Sequence, residues 1–224
     1  MAKKLVAEFL GTFCLVFAGT GAIVIDTVTG GAVSHVGVAL TFGLIVLAMI
    51  YTIGDISGAH INPAVTIGFF AARRFEARSV FPYVLSQCAG ALMASIALRC
   101  LFPQSATLGA TMPAGSAMQS FVLEMILTAL LMFVILSVST GAREKGITAG
   151  IAVGAVIGLE ALFAGPICGA SMNPARSLAP AVVSGHLSGL WIYLVAPVLG
   201  VIGCRCVRER GCCSGAEPAE ISPA

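Results

Sequence analysis

The chain has 224 residues, 58% of them hydrophobic and 10% charged, with a net charge of +2 and a mean hydropathy of +1.01. This composition excludes an ordinary water-soluble domain and places the protein among those that cross a bilayer several times. The 12 basic and 10 acidic residues nearly balance, and no basic surface interleaved with aromatics is present, which excludes a nucleic-acid partner.

In chain order, Lys3-Lys4 precede an apolar run that has the outline of a signal peptide. The run continues to Ile25 and is interrupted by Glu8, too long and too polar for a usual h-region, so it is read as a first span. Six segments are long enough to span: roughly Leu5–Ile25, Val36–Ile53, Ser79–Leu98, Ser116–Ser139, Ile147–Gly165 and Leu187–Val207. Small residues recur on them, as close packing of membrane helices requires. Gly150, Gly154 and Gly158 fall every four residues on the fifth span, with Gly11 and Gly19 on the first and Gly200 and Gly203 on the last.

Two shorter apolar stretches lie between the second and third spans and between the fifth and sixth. They open on Asn62-Pro63-Ala64 and Asn173-Pro174-Ala175, inside the matching runs SGAHINPAVT and CGASMNPARS. The copies are 111 positions apart, and Asn62 and Asn173 are the only asparagines in the sequence. Asn is a favoured helix N-cap, since its side-chain oxygen accepts from a free backbone N–H of the first turn. Pro suits the next position, where a missing N–H costs nothing. Each Asn-Pro therefore predicts a helix start, with the amide NH₂ left to point outward. The helices run to about Ala72 and about Ser184. Eleven helical residues cover about 16 Å, roughly half the hydrocarbon core, so these are half-helices.

Three spans plus a half-helix make one half of the chain, and the odd number inverts the second half relative to the first. The fold class is all-α membrane protein: six transmembrane helices plus two re-entrant half-helices in an inverted repeat. Residues 1–207 form the membrane domain, with repeat one about 1–110 and repeat two about 111–207. Residues 208–224 are read as a flexible tail. Lys3, Lys4, Arg73, Arg74, Arg78, Arg143, Lys145, Arg205, Arg208 and Arg210 share one side if both termini are cytoplasmic, against Arg99 alone outside.

Arg176, three residues after the second Asn, breaks the symmetry, since Val65 holds the matching place. An Arg inside a membrane segment faces a cavity or a partner; it either lines a path or sits neutralised in a structural pair. Two Asn-Pro-Ala half-helices in an inverted repeat with this Arg resemble the aquaporin/aquaglyceroporin (major intrinsic protein) family, over essentially the whole chain up to Val207. The resemblance implies a pore whose centre is formed by Asn62, Pro63, Ala64, Asn173, Pro174 and Ala175. It also implies an outer constriction of Phe42, Ala161, Ala170 and Arg176. The whole chain resembles the nodulin-like or the bacterial metalloid/glycerol-facilitator branch. The filter matches neither the His-bearing set of water-selective relatives nor the Trp, Gly and Phe of many glycerol channels; it is most similar to the nodulin-like filters, and two alanines leave it wide. Phe42 could instead be a lipid-facing or core residue.

The same resemblance assigns Glu8 and Glu124, at corresponding places in EFLGT and EMILT, to hold backbone N–H groups of the stretches before the half-helices; a proton relay is the alternative. Glu160 has no counterpart in the first half and receives no role. His60 is expected in the inner vestibule with Asp55, where relatives commonly carry His; a solvated loop acid is the other reading of Asp55. The three histidines are too dispersed for a metal site, and no cofactor is expected. Cys14, Cys88 and Cys100 read as small apolar residues, and Cys168 is placed near the outer mouth within reach of a mercurial. Cys204, Cys206, Cys212 and Cys213 crowd among arginines at the end of the last span. Palmitoylation, uncommitted thiols and binding of a thiophilic species such as trivalent arsenic all fit them.

The function this implies is a passive channel for water and small neutral solutes (glycerol, and metalloid hydroxides such as arsenous or boric acid) that excludes protons and ions. An ion- or proton-coupled transporter is the alternative, because broken helices also build those sites. No nucleophile–base arrangement suggests an enzyme. The expected setting is a lipid bilayer, as a homotetramer by resemblance, in a bacterial cytoplasmic membrane by the shortness of the termini.

Overall fold

The computed structural model describes residues 1–139 and 143–209, and side chains for 1–139 and 148–204. The described residues form helices and no strands: α1 (Ala2–Thr29), α2 (Ser34–Ser57), α3 (Pro63–Ala71), α4 (Ala77–Leu101), α5 (Ala117–Val138), α6 (Arg143–Cys168), α7 (Pro174–Ser184) and α8 (Leu190–Glu209). Five of them, α1, α2, α4, α5 and α6, are long and apolar enough to cross a membrane among the described residues. The helices outrun most of the apolar windows, because backbone hydrogen bonding continues through flanking polar residues until a stop signal. For α1 that stop is Gly30 at φ 69°, whose N–H closes onto the last turn. The same overrun takes α2 through Asp55 to Ser57, so Asp55 belongs to a helix and not to the stretch before α3.

The half-helices begin as their chemistry dictates. Asn62 is extended at φ −158° and its side chain accepts from Ala64 N, with Pro63 at N1. Asn173, at φ −143°, accepts from Ala175 N and Arg176 N, with Pro174 at N1. Half-helix α3 has 9 residues and α7 has 11, about 14 and 16 Å at 1.5 Å per residue.

Contacts follow the repeat. Helix α1 packs on α2 and α4, and α5 packs on α6 and α8, while α2 against α6 joins the halves most extensively. The half-helices cross over: α3 touches α8 and α7 touches α4. Glycine lets the backbones meet. A Cβ on Gly43 would lie 2.6 Å from the Gly154 carbonyl, one on Gly90 2.2 Å from that of Phe9, and one on Gly200 2.4 Å from that of Met125. Real side chains never come so close, so these three positions set the α2–α6, α1–α4 and α5–α8 separations. Gly203, by contrast, has open space around it.

Candidate functional site

The two stretches before the half-helices share an unusual backbone. Gly58, Ala59 and Ile61 have φ of 89°, 47° and 41°; Gly169, Ala170 and Met172, each 111 positions on, have 86°, 40° and 53°. Left-handed geometry at a β-branched residue such as Ile61 is strained and persists only when the surroundings over-determine it. Glu8 supplies that restraint in the first half. Its carboxylate accepts from His60 N at 2.9 Å, Ile61 N at 2.7 Å, Ser57 Oγ at 2.7 Å and Gln87 Nε2 at 2.7 Å. In the second half Glu124 accepts from Ser171 N at 2.7 Å and Met172 N at 2.8 Å. Two tyrosines complete the parallel. Tyr83 donates to Ser57 O at 2.9 Å, and Tyr193 to Cys168 O at 2.7 Å.

The half-helix starts then meet. Asn62 Nδ2 donates to Met172 O at 2.8 Å, and Asn173 Nδ2 donates to Ile61 O at 3.0 Å. Each asparagine therefore caps its own helix with its oxygen and braces the opposite stretch with one amide hydrogen. Among the described residues the second hydrogen of each NH₂ meets no acceptor. Both asparagines line a lumen of about 120 Å³. The remainder of the wall is almost entirely apolar, including Leu15, Val46, Val65, Leu131, Val153 and Ile157.

Phe42, Ala161, Ala170 and Arg176 come to the same lumen. The guanidinium carbon of Arg176 lies 5.0 Å from the Phe42 ring centroid, within cation–π range. Arg176 is buried, and Nη1 donates to Gly109 O at 2.9 Å. Among the described residues it forms no ion pair. The lumen wall here therefore combines an aromatic ring, a buried guanidinium and two alanines.

The family model described as major intrinsic protein matches residues 1–206. The chain belongs to the major intrinsic protein family. Aquaporin NIP1-3 of Oryza sativa subsp. japonica is 48% identical over 202 residues, covering 90% of this chain and 71% of that one. Putative aquaporin NIP4-1 of Arabidopsis thaliana is 50% identical over 204 residues, covering 90% and 72%. Among solved structures, the aquaglyceroporin from Plasmodium falciparum superposes with a TM-score of 0.82 at 28% identity, covering 95% of this chain and 97% of that one. The protein is an integral membrane protein, a passive channel for water and small neutral solutes and not an enzyme. Nothing in these likenesses favours a coupled transporter. The similar aquaporins named here are from plants, so they lend no support to a bacterial cytoplasmic membrane.

Several family-derived placements need correction. His60 lines the lumen, packed against Phe69, Phe75 and Tyr83 with ring centroids 4.6, 4.7 and 5.2 Å away. Asp55 is exposed on the last turn of α2 and is not in that wall, so of its two readings the solvated acid is the one this fits, on a helix instead of a loop. Cys168 is fully buried, its Sγ donating to Ala164 O at 3.6 Å and accepting from Ala170 N at 3.4 Å, and is out of reach of a mercurial at the mouth. Cys204 is buried on α8; the side chains of Cys206, Cys212 and Cys213 lie outside the described residues. Gly109, Gln87, Tyr83 and Tyr193 were missed in the sequence. A search for polar residues near the 111-residue offset would have paired the two tyrosines.

Proposed function

We propose that the constriction of Phe42, Ala161, Ala170 and Arg176 makes this a channel wide enough for glycerol and for neutral metalloid hydroxides as well as water. The observation that carries this reading is the asymmetry of the wall. CH edges of a polyhydroxy solute suit the Phe42 face, its hydroxyls suit the donors of Arg176, and Ala161 and Ala170 leave space between. The aquaglyceroporin likeness is in keeping with a glycerol-sized path. A test is stopped-flow light scattering on proteoliposomes with water, glycerol, urea and arsenite. Water and glycerol fluxes well above those of empty liposomes, with a low activation energy, are expected; glycerol flux equal to empty liposomes would reject the wide-pore reading.

At the centre, the free amide hydrogens of Asn62 and Asn173 donate to a passing oxygen. The N-termini of α3 and α7 contribute partial positive charges of about +0.5 each. An oxygen held by both amides cannot relay a proton along a water file, and the same field opposes cations, as is established for aquaporin-type pores. The charge bias of the loops puts both termini on the cytoplasmic side. By family likeness the assembly is a homotetramer with one pore per subunit. If the cysteines near the end of the chain bind a thiophilic species, replacing Cys204, Cys206, Cys212 and Cys213 changes arsenite handling and leaves water flux alone; unchanged arsenite handling would count against that role.

A further inference from the structure

Several glycines leave room for a side chain, Gly11 for Ile53 and Ile61, Gly68 for Met132 and Gly150 for Tyr51; at Gly19 on α1 the side chain is Phe42. A Cβ built there would lie 2.2 Å from Cε1, 2.5 Å from Cδ1 and 2.6 Å from Cζ of Phe42. The ring therefore sits in a notch that only the absence of a side chain provides. Its surroundings decide where it would go if the notch were filled. The Arg176 guanidinium is 5.0 Å from the ring centroid. Arg176 cannot easily retreat, because Nη1 is tied to Gly109 O at 2.9 Å. Gly109 in turn rests on the next residue of α1. The position of a Cβ on Gly109 is 3.0 Å from Thr20 Cβ and 3.1 Å from Thr20 O, and Thr20 is itself fixed by a 2.6 Å bond from its Oγ1 to Val16 O. Two successive residues of α1 thus stand behind the two walls of the constriction. The side of the ring left open is the lumen that Phe42 already lines.

We propose that Gly19 is a positioning residue that sets solute specificity. By housing the edge of the Phe42 ring, with Thr20 and Gly109 fixing the opposite wall, it holds the constriction open for neutral solutes larger than water. The inference rests on the reading of Phe42 and Arg176 as the constriction. It assigns α1, which contributes Leu15 alone to the lumen wall, a part in selectivity exerted from behind.

The test uses the full-length protein in liposomes, with water and glycerol permeability measured on Gly19→Ala, Phe42→Ala and the double variant Gly19→Ala/Phe42→Ala. Size-exclusion profile and incorporation are matched before comparison. Gly19→Ala tips the ring into the lumen, so glycerol flux falls by about tenfold or more while water falls several times less, since one methyl at a narrow point discriminates by size. The double variant has no ring to displace and recovers the glycerol-to-water ratio of Phe42→Ala. A Gly19→Ala protein with the wild-type ratio overturns the proposal, as does an equal loss of both fluxes or a double variant that does not recover. If Gly19→Ala fails to incorporate, the double variant decides: a conducting protein supports the notch and a non-conducting one refutes it. A Phe42→Ala protein with an unaltered ratio sinks the constriction reading itself, and this inference with it.

Discussion

Three glutamates are buried in the membrane part of the molecule, and their neighbours differ sharply. Glu8 and Glu124 accept backbone N–H bonds from the strained stretches before α3 and α7. Glu160, equally buried and one residue before Ala161, meets no hydrogen-bond donor among the described residues with either oxygen. Hydrogen bonds to a charged acceptor are worth about 1.5–3 kcal/mol each, whereas a buried charge without donors is a net cost. Glu124→Gln turns one acceptor into a donor facing an N–H, so its melting temperature in detergent should fall by at least about 3 °C. Glu160→Gln cannot ionise and should melt no lower than the wild type. The opposite order would show that Glu160 is the supported carboxylate. Cys168 gives a second test at this scale. Ser57 occupies the matching place, and its Oγ accepts from Ala59 N at 3.1 Å as Cys168 Sγ accepts from Ala170 N. Cys168→Ser should therefore conduct normally and leave any mercurial sensitivity unchanged; loss of that sensitivity would mean the thiol is reached after all.

At the scale of elements, glycine decides how the helices stand. The α1–α4 and α5–α8 pairs are each held at backbone contact by one residue, Gly90 and Gly200, 110 positions apart. Adding a methyl at either forces a partner helix away from the one that carries the supporting glutamate, Glu8 on α1 or Glu124 on α5, and overpacking of this kind costs about 1–3 kcal/mol. Gly90→Ala and Gly200→Ala should each lower thermal stability by that order, while Gly203→Ala, facing open space, should not; equal effects at Gly203 would point to helix propensity and not contact. This contrast also marks what the sequence can reveal. The half-helices were legible because Asn-Pro carries its own capping chemistry, and the spans because apolar length is a local property. Gly19 and Gly200 looked alike as small residues, because what each admits depends on the element opposite. Asp55 was misplaced because nothing local stops α2 before Gly58. The crossed bonds of Asn62 and Asn173 were out of reach, since they join carbonyls more than a hundred residues away.

Considered whole, the molecule places two inverted copies so that each completes the other's centre. Asn62 is held by a carbonyl of the second copy and Asn173 by one of the first, so neither half-helix start is fixed without its counterpart. A rocking cycle that separates the copies would have to break both braces and expose the amides in an apolar wall. A fixed lumen demands no such motion, and solute then moves only down its own gradient. This can be measured in proteoliposomes carrying an imposed pH difference of either sign, with a pH-sensitive dye inside. Glycerol equilibration should be independent of the sign and size of the pH difference. The dye should decay no faster than in empty liposomes while water flux remains high. Replacing both asparagines by alanine removes the braces and the free amide donors together. The double variant should lose less stability than the two single variants summed, because each brace depends on the other, and where it still conducts, its dye signal should decay faster. Glycerol accumulation driven by the pH difference in the unmodified protein would mean that the two copies do move against each other, and the fixed-lumen account would fail.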